Sequence, residues 1–255
     1  MNLDILLTTV NKTVDEIISL INSLNITSNV IVGNQFKEAS VNTYYIGEQR
    51  VTIVNTKDKG CSKNRNHILT YSEADIVLFA DDDEIFTNNY YSIITEAFIS
   101  NKEAEAIYFA VSVNKESRPV RIFNKNKKAS WKDISALGVW GLAIKRETIK
   151  KYNLSFDENF GPGSRCPMGE DSIYLRDLIK ASNNVYTNTA LISYIEQYQS
   201  TWFKGYNKDY FINLGKATKR LYPYTFFYRV MKNTIYYLKR GDNPFKVLYW
   251  MIRRK

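Results

Sequence analysis

The sequence contains few of the residues on which disulfide-stapled or zinc-bound proteins depend. Its 255 residues include two cysteines and one histidine. Cys61 and Cys166 are too few for a disulfide framework and lack the spacing of a metal site, which favours a reducing cytoplasm. No apolar run reaches the roughly 18 residues that a membrane span requires. Asp4 stands where an export signal needs basic residues, so we expect no signal peptide.

Acidic residues are almost absent from the end of the chain. Residues 216–255 contain 11 Lys and Arg and a single acid, Asp242, which leaves 24 basic and 25 acidic residues before them. The body is therefore nearly neutral and lacks the basic face of a nucleic-acid-binding protein. The basic tail is the part expected to meet polyanions. A hydrophobic fraction of 44% excludes a disordered chain.

Apolar runs alternate with amphipathic segments along the body, which predicts βαβ units and a mainly parallel sheet. Strands are expected at residues 2–9, 29–32, 51–54, 76–80 and 106–113, and helices at residues 14–24, 64–70 and 90–100. Ser62 and Asn66 are candidates to cap the second of these helices. The length of 255 residues suits one large domain with an appendage.

Three consecutive carboxylates, Asp81, Asp82 and Asp83, directly follow the apolar strand at 76–80. In α/β sheets, ligands bind at the carboxyl ends of strands. Adjacent anions repel one another, and a hard divalent cation with oxygen ligands would offset them. Taken alone, the triplet fits a solvated acidic turn equally well.

Two further polar segments accompany the triplet in chain order. Residues 60–66 (GCSKNRN) precede it, and residues 169–171 (GED) open a predicted helix. Over residues 2–215 this series resembles glycosyltransferase family 2, whose members are inverting enzymes. The resemblance implies the GT-A fold, a Rossmann-like, mainly parallel central sheet flanked by helices. It divides the chain into a catalytic domain at 1–215 and a basic amphipathic helical tail at 216–255.

The resemblance assigns roles to the residues around the triplet. Asp83 would bind Mn²⁺ or Mg²⁺, and Asp81 would contact the donor ribose or reach the same metal. Arg65 would lie near the donor diphosphate, although a lone arginine is more often on the surface. Asp82 points elsewhere in an extended segment and is expected to form loop hydrogen bonds.

The pair at the predicted helix start is assigned to catalysis. Asp171 would be the general base that removes the acceptor hydroxyl proton, and Glu170 would position the acceptor or the base. Acids at a helix start are also stabilised by the helix dipole without any catalytic role. Trp140 lies where the family places acceptor-pocket residues, and a core tryptophan is equally consistent with its sequence position.

The sequence departs from the family pattern in the segment after the second strand. Residues 31–35 (IVGNQ) carry amides where relatives have an acid that recognises the nucleotide base. Asn34 and Gln35, with Thr8 from the first strand, are therefore assigned to donor binding.

A second departure is the lack of the late histidine that many GT-A enzymes bring to the metal. The only histidine is His67, in the helix at 64–70, where a structural role is expected. Glu196 or Gln197 stands near the usual position, and we assign Glu196 as the replacement ligand. Trp202 belongs to a segment that closes over the donor in some relatives.

The tail shows helical periodicity between residues 224 and 240. Phe227, Met231 and Ile235 fall on one face with Val230 and Leu238, and basic residues lie opposite. Such a helix fits the surface of an anionic membrane, and a helix packed on the body with a solvated basic face is the alternative.

Together these features predict a metal-dependent inverting glycosyltransferase with a nucleotide-sugar donor, most simply a UDP-sugar. Its acceptor would be a glycan or a lipid-linked sugar of a surface polysaccharide, at the inner face of the cell membrane. One rival is a sugar nucleotidyltransferase, but residues 2–35 contain one glycine and so lack a glycine-rich phosphate loop. The other is a non-catalytic membrane-associated binding protein, against which the intact acids argue.

Overall fold

The computed structural model describes residues 1–113, 123–135, 137–195, 203 and 205–253. In this part of the chain the strands are β1 (Leu3–Val10), β2 (Asn29–Gln35), β3 (Ser40–Ile46), β4 (Gln49–Thr56), β5 (Ile76–Asp81), β6 (Glu84–Phe86), β7 (Ala106–Val113), β8 (Lys127–Lys128), β9 (Leu142–Lys145) and β10 (Val185–Ile195). The helices are α1 (Val14–Ser23), α2 (Cys61–Leu69), α3 (Tyr90–Ser100), α4 (Trp131–Ile134), α5 (Arg146–Tyr152), α6 (Glu170–Ala181), α7 (Lys208–Leu221), α8 (Phe226–Leu238) and α9 (Pro244–Ile252).

The strands form one sheet in the order β3-β4-β2-β1-β5-β9-β7-β10-β6, with β8 on β10. Its centre, β4-β2-β1-β5, is parallel throughout, so four carboxyl ends meet at one edge. The register places Thr8 of β1 opposite both Gly33 of β2 and Asp81 of β5. The first aspartate of the triplet therefore lies at the middle of the edge where α/β proteins bind ligands.

The side chains of β1 alternate between two hydrophobic cores, one on each face of the sheet. Leu3, Ile5 and Leu7 join one core with α1 and α3, whereas Leu6 joins the opposite core with α2 and α6. Successive strand side chains point to opposite faces, so a strand buried on both sides reads as a continuous apolar run. The chain thus forms the expected α/β architecture with helices on both faces of the sheet.

The expected strands and helices are all present, with some shifted bounds. The helix expected at 64–70 begins earlier, at Cys61, so the prediction that Ser62 and Asn66 cap it is wrong. Ser62 instead donates to the carbonyl oxygen of Phe160 at 2.6 Å, and Asn66 exchanges two hydrogen bonds with the backbone of Phe156. Both side chains tie α2 to the loop that precedes α6.

The helices α7, α8 and α9 pack together around a small core that includes Phe211, Val230 and Met251. Helix α7 runs through Gly215, so the boundary expected after that residue falls inside a helix. A Cβ at Gly215 would lie 2.1 Å from the carbonyl oxygen of Met251, so α7 and α9 cross in backbone contact.

Helix α7 also contacts the body. Arg220 forms ion pairs of 2.9 Å with Asp157 and 2.7 Å with Asp177 of α6. The C-terminal helices are therefore joined to the helix whose first residues are Glu170 and Asp171. None of the described helices combines the length and the apolar character needed to cross a bilayer.

Candidate active site

Two carboxylates from different parts of the chain meet on one arginine. The guanidinium of Arg65 donates from Nη2 to Asp81 Oδ1 and from Nη1 to Asp171 Oδ1, each at 2.7 Å. Arg65 lies in α2 and is only 2% exposed. A buried charge is tolerated when it is paired and hydrogen-bonded, and this one has a partner on either side. The arginine fixes the separation of the strand-end acid and the helix-start acid.

The position of Arg65 follows from how α2 begins. The Cys61 amide donates to the carbonyl oxygen of Pro162 at 2.9 Å, which fastens the helix start to the loop before α6. The guanidinium carbon lies 5.2 Å from the centre of the Phe156 ring, which forms the floor beneath it. Neither Phe156 nor this loop contact was foreseen from the sequence, because both depend on segments about 90 residues apart.

Arg65 was expected near the donor diphosphate, which stays a prediction, and its partners within the protein are carboxylates. Its two terminal nitrogens are bound to Asp81 and Asp171, while its Nε is buried without a hydrogen-bond partner among the described residues. The side chain therefore organises the carboxylates of the site. Such a long-range bridge cannot be read from the spacing of the motifs.

The pKa values of both carboxyl groups at the start of α6 are raised. Burial raises the pKa of Glu170 to about 7, and the neighbouring charge of Asp171 adds to the effect. Burial also raises the pKa of Asp171, against the opposing charge of Arg65 and a hydrogen bond from the Val139 amide. Strongly shifted carboxyl groups in a cleft are typical of catalytic sites.

The triplet is followed by a fourth acid that sequence reasoning did not single out. Glu84 of β6 is fully buried, and Ser193 donates to it at 2.5 Å. Burial raises the pKa of Glu84 to about 8, and the charges of Asp81 and Asp83 push it in the same direction. Glu84 therefore adds a fourth consecutive acidic side chain to this strand end.

Asp82 has the local role that was expected for it. Its Oδ2 accepts a hydrogen bond of 2.9 Å from the Thr9 hydroxyl. That bond ties the turn after β5 to the end of β1. Thr8, the residue before, is buried beside Asp81 in the strand register and forms part of the floor of the site.

The two amides predicted to read the donor are occupied by protein partners. Asn34 is fully buried, donates to the Lys12 carbonyl oxygen and to the Asn55 amide oxygen at 2.8 Å each, and accepts from the Lys12 amide. Gln35 accepts from the Gly60 amide at 3.1 Å. Both residues hold loops around the end of the sheet, and their assignment to donor binding stays a prediction.

A crevice of about 440 Å³ opens at the same edge, beyond the ends of β1, β2 and β4. Its lining includes three lysines and no acidic residue: Val10, Asn11, Gln35, Phe36, Lys37, Lys57, Lys59 and Gly163. The three lysines were not foreseen, because no motif contains all of them. A basic crevice at this edge is suited to an anionic ligand.

Trp140 lies in a loop beside the acidic pair. The Tyr108 hydroxyl bonds to the carbonyl oxygens of Gly138 and Trp140, the second at 2.6 Å. The backbone of Val139 in the same loop lowers the pKa of Asp171, which places the loop beside that carboxylate. Trp140 is partly buried and packs against both cores of the sheet, so the side chain supports the loop while the loop borders the site.

Some predicted site residues cannot be placed. Glu196, Gln197 and Trp202 lie outside the described residues. Within the described residues, no three side chains of His, Cys, Asp or Glu form a protein-only metal site. His67 is exposed on α2 and stacks edge-on with Tyr71, in agreement with the structural role expected for it.

Known structures share this fold at low sequence identity. S. aureus TarS 1-349 in complex with UDP-GlcNAc aligns with a TM-score of 0.65 and 15% identity over 87% of this chain and 67% of that one. TarS 1-349 in complex with UDP gives a TM-score of 0.60 and 13% identity. This chain covers 40% of the longer TarS structure. A comparison with curated protein sequences gives no match.

The family itself is established by sequence. The model of the family described as "Glycosyl transferase family 2" matches residues 17–233, which include Arg65, the acidic triplet and the pair at the start of α6. This match favours a glycosyltransferase over a sugar nucleotidyltransferase. The TarS alignments independently support the GT-A fold. The chain belongs to glycosyl transferase family 2.

Proposed function

We propose that this protein is a metal-dependent inverting glycosyltransferase that moves a sugar from a UDP donor to a glycan or lipid-linked acceptor in surface polysaccharide synthesis. The observation that carries the proposal is the Arg65 bridge between Asp81 and Asp171. It holds a carboxylate of the donor side and a carboxylate of the acceptor side in one fixed arrangement. Glycosyl transfer needs both, because the nucleotide leaves as the acceptor attacks.

The crevice between β1, β2 and β4 is the proposed site for the nucleotide. Lys37, Lys57 and Lys59 supply positive charge for a ligand that carries a diphosphate, and Phe36 offers an aromatic face for a base. Asn34 and Gln35 hold the walls of the crevice. The relative S. aureus TarS was solved with UDP-GlcNAc and with UDP, which favours a uracil nucleotide here.

The strand end fits a divalent cation that is held jointly with the donor. Mg²⁺ characteristically uses one or two carboxylates plus substrate phosphates. Asp81 and Asp83 supply two carboxylates at the end of β5. Asp83 would be the principal ligand to Mn²⁺ or Mg²⁺, with Asp81 beside it. The bound cation would neutralise charge on the departing nucleotide.

Asp171 is the proposed general base. Arg65 holds its Oδ1 at 2.7 Å, and this ion pair fixes the direction of the side chain. The acceptor hydroxyl gives its proton to this carboxylate as its oxygen bonds to the anomeric carbon. The bond from that carbon to the donor phosphate breaks on the opposite side, and the sugar is inverted.

Glu170 is the proposed positioning residue for the acceptor. Its pKa of about 7 means that it changes charge near neutral pH, whereas a surface glutamate stays ionised there. A carboxyl group that accepts or donates a hydrogen bond according to pH can hold a sugar hydroxyl beside Asp171. The loop of Val139 and Trp140 would form the other wall of the acceptor site.

We place the enzyme in the cytoplasm, peripheral at the inner face of the cell membrane. The support is the charge distribution: 11 basic residues and one acid fall in residues 216–255, while the body is nearly neutral. An anionic leaflet attracts clustered lysines and arginines. A lipid-linked acceptor is held at the same surface, so the position and the proposed substrate agree.

Donor binding and hydrolysis test the proposal with two neighbouring aspartates. We expect UDP-GlcNAc binding and slow hydrolysis to require Mn²⁺, and Asp83→Ala to weaken both at least about tenfold. Asp82→Ala is the matched control, because that carboxylate bonds to Thr9 and is assigned no cation. Isothermal calorimetry with and without a chelator gives the readout. Unchanged affinity in the chelator and in Asp83→Ala would show that the cation assignment is wrong.

A further inference from the structure

Helix α8 leaves an apolar stripe uncovered. Phe227, Met231, Ile235 and Leu238 recur at spacings of three and four residues and therefore lie along one side of the helix. The exposed fractions are 68% for Phe227 and 53% for Ile235, and the other two are half exposed. The core of the C-terminal helices is formed instead by Val230 and Tyr237. We call the four exposed residues the α8 stripe.

Helix α9 repeats the arrangement beside it. Phe245, Tyr249 and Ile252 are exposed, with 81% of Phe245 accessible, whereas Val247 and Met251 are buried against α7 and α8. Exposed single apolar residues are common on proteins, but a continuous row on each of two adjacent helices is not. We call these three residues the α9 stripe.

The charged residues around the stripes are almost all positive. Residues 226–255 contain eight Lys and Arg and one acid, Asp242. Lys232, Lys239 and Lys246 are exposed, and no ion pair joins them to a carboxylate among the described residues. A partner for this surface therefore needs both an apolar layer and negative charge.

The helices that carry the stripes are joined to the catalytic body through α7. The α7–α9 crossing is in backbone contact at Gly215, and the Tyr210 and Tyr237 hydroxyl groups bond to each other at 2.7 Å. A Cβ on Gly169, the residue before the acidic pair, would lie 3.0 Å from Cβ of Ala217 in α7. Binding at the stripes would thus hold the active site in a set orientation.

We propose that the α8 and α9 stripes form one interfacial surface that inserts among the lipids of an anionic bilayer. Apolar residues with flanking lysines match the boundary between acyl chains and anionic headgroups. A second copy of the chain is a poorer occupant, because pairing two such surfaces would bring like charges together. This proposal deepens the peripheral position proposed above by naming the residues that enter the membrane.

Vesicle flotation with the full chain tests the surface. We expect strong binding to vesicles of phosphatidylcholine mixed with phosphatidylglycerol, weaker binding to phosphatidylcholine alone, and loss of binding in high salt. Replacing both Phe227→Ser and Ile235→Ser should weaken binding about tenfold. The matched control is Val41→Ser with Tyr45→Ser, two side chains of similar exposure on β3.

The charge component has its own pair of variants. Lys232→Glu with Lys239→Glu should weaken binding to the anionic vesicles by about tenfold or more and leave the weak binding to neutral vesicles unchanged. Lys102→Glu with Lys150→Glu, on the body, is the control. Equal binding by stripe variants and their controls would overturn the proposal. So would a concentration-dependent dimer, seen by analytical ultracentrifugation, that the stripe variants abolish, since a second copy would then cover the surface.

Donor hydrolysis in the same preparations separates this proposal from the proposed function. Retained hydrolysis of UDP-GlcNAc without vesicle binding would reject the membrane surface alone. Vesicle binding without any hydrolysis would contradict the proposed UDP-sugar donor and would still support the membrane-binding surface. Because all the substituted side chains are exposed, circular dichroism should show the wild-type fold in every variant.

Discussion

The active site and the C-terminal helices use charge in opposite ways. At the sheet edge, Arg65 is buried and bound at 2.7 Å to each of two carboxylates. On α8, Lys232 and Lys239 are exposed, and no ion pair fixes them within the described part of the chain. The first arrangement takes the arginine out of water and fixes the geometry of the two carboxylates that bind it. The second leaves its lysines in water. Their attraction to anions there depends more on how many lysines there are than on the exact position of each one.

This difference predicts that substitutions have larger effects in the active site than on the C-terminal helices. A buried charge that loses its partner keeps the cost of its desolvation, so a single change at the site has a large effect. An exposed charge interacts through a screened field, and each change has a small and nearly additive effect. Variants of matched chemistry in the two regions therefore test the contrast directly.

The largest effect is expected from Asp171→Asn. Removing the proposed base should lower the transfer rate by roughly two to four decades while donor affinity stays near the wild-type value. Asp177→Asn is the control, since Asp177 lies on the same helix and pairs with Arg220 instead. Single-turnover kinetics with separate donor titration gives both quantities. Near-normal transfer by Asp171→Asn would move the base role away from this residue.

A smaller effect, on stability, should distinguish two arginines. Arg65→Met leaves Asp81 and Asp171 facing each other without a cation, and we expect a loss of about 3–5 kcal/mol in the free energy of unfolding. Arg229→Met removes a cation–π contact of 4.1 Å with Tyr222 and should cost about 1 kcal/mol. Urea denaturation of the two variants measures the difference. Equal losses would show that the bridge at the site is no more than a surface interaction.

The smallest effect should be the pH dependence introduced by Glu170. In the unfolded chain this group titrates near 4.5, and in the fold near 7. Because the folded pKa is the higher one, the stability present below about pH 4.5 falls as the pH rises through 7. Glu170→Gln should remove this fall and gain roughly 1–3 kcal/mol over wild type at pH 8.

The same variant tests the positioning role of Glu170. If its ionisation orients the acceptor, the transfer rate of the wild type should change near pH 7, and Glu170→Gln should lose that inflection while keeping donor affinity. Rate profiles from about pH 5 to 9 show this. An unchanged profile would assign the inflection to another group. Asp177→Asn again serves as the variant in which the wild-type profile should persist.

The sequence predicted those parts of the fold that depend on short segments. The run at residues 76–80 is apolar because β5 is buried on both faces, and the helix at 90–100 shows a helical apolar pattern. The strand β3 was missed, since its exposed residues form an edge that pairs only with β4. Its pattern lacks the apolar run that marks a central strand.

The sequence predicted which motifs belong to the site, but it did not predict the contacts between their side chains. The motifs singled out Arg65, Asp81 and Asp171, which lie together in the structure, but the bridge joins residues up to 106 positions apart and leaves no local pattern. Asn34 was assigned to the donor because relatives have a base-recognising acid in this segment, and the sequence could not show its burial or its bonds to Lys12 and Asn55. Val230 was grouped with the α8 stripe, and the structure buries it, because a helical projection cannot show which side α7 and α9 cover.

The glycine at the crossing of α7 and α9 has a consequence for which acceptors the enzyme can use. Gly215 permits backbone contact with Met251, and the same helix carries Ala217 to Gly169, one residue before the acidic pair. These contacts form a continuous packed connection from the two stripes to the start of α6. A bilayer bound at the stripes would then lie at a constant distance from the base. The enzyme would then favour acceptors whose reactive sugar hydroxyl lies at one particular distance from the bilayer surface. Acceptors that place this hydroxyl closer to the bilayer or farther from it would react more slowly.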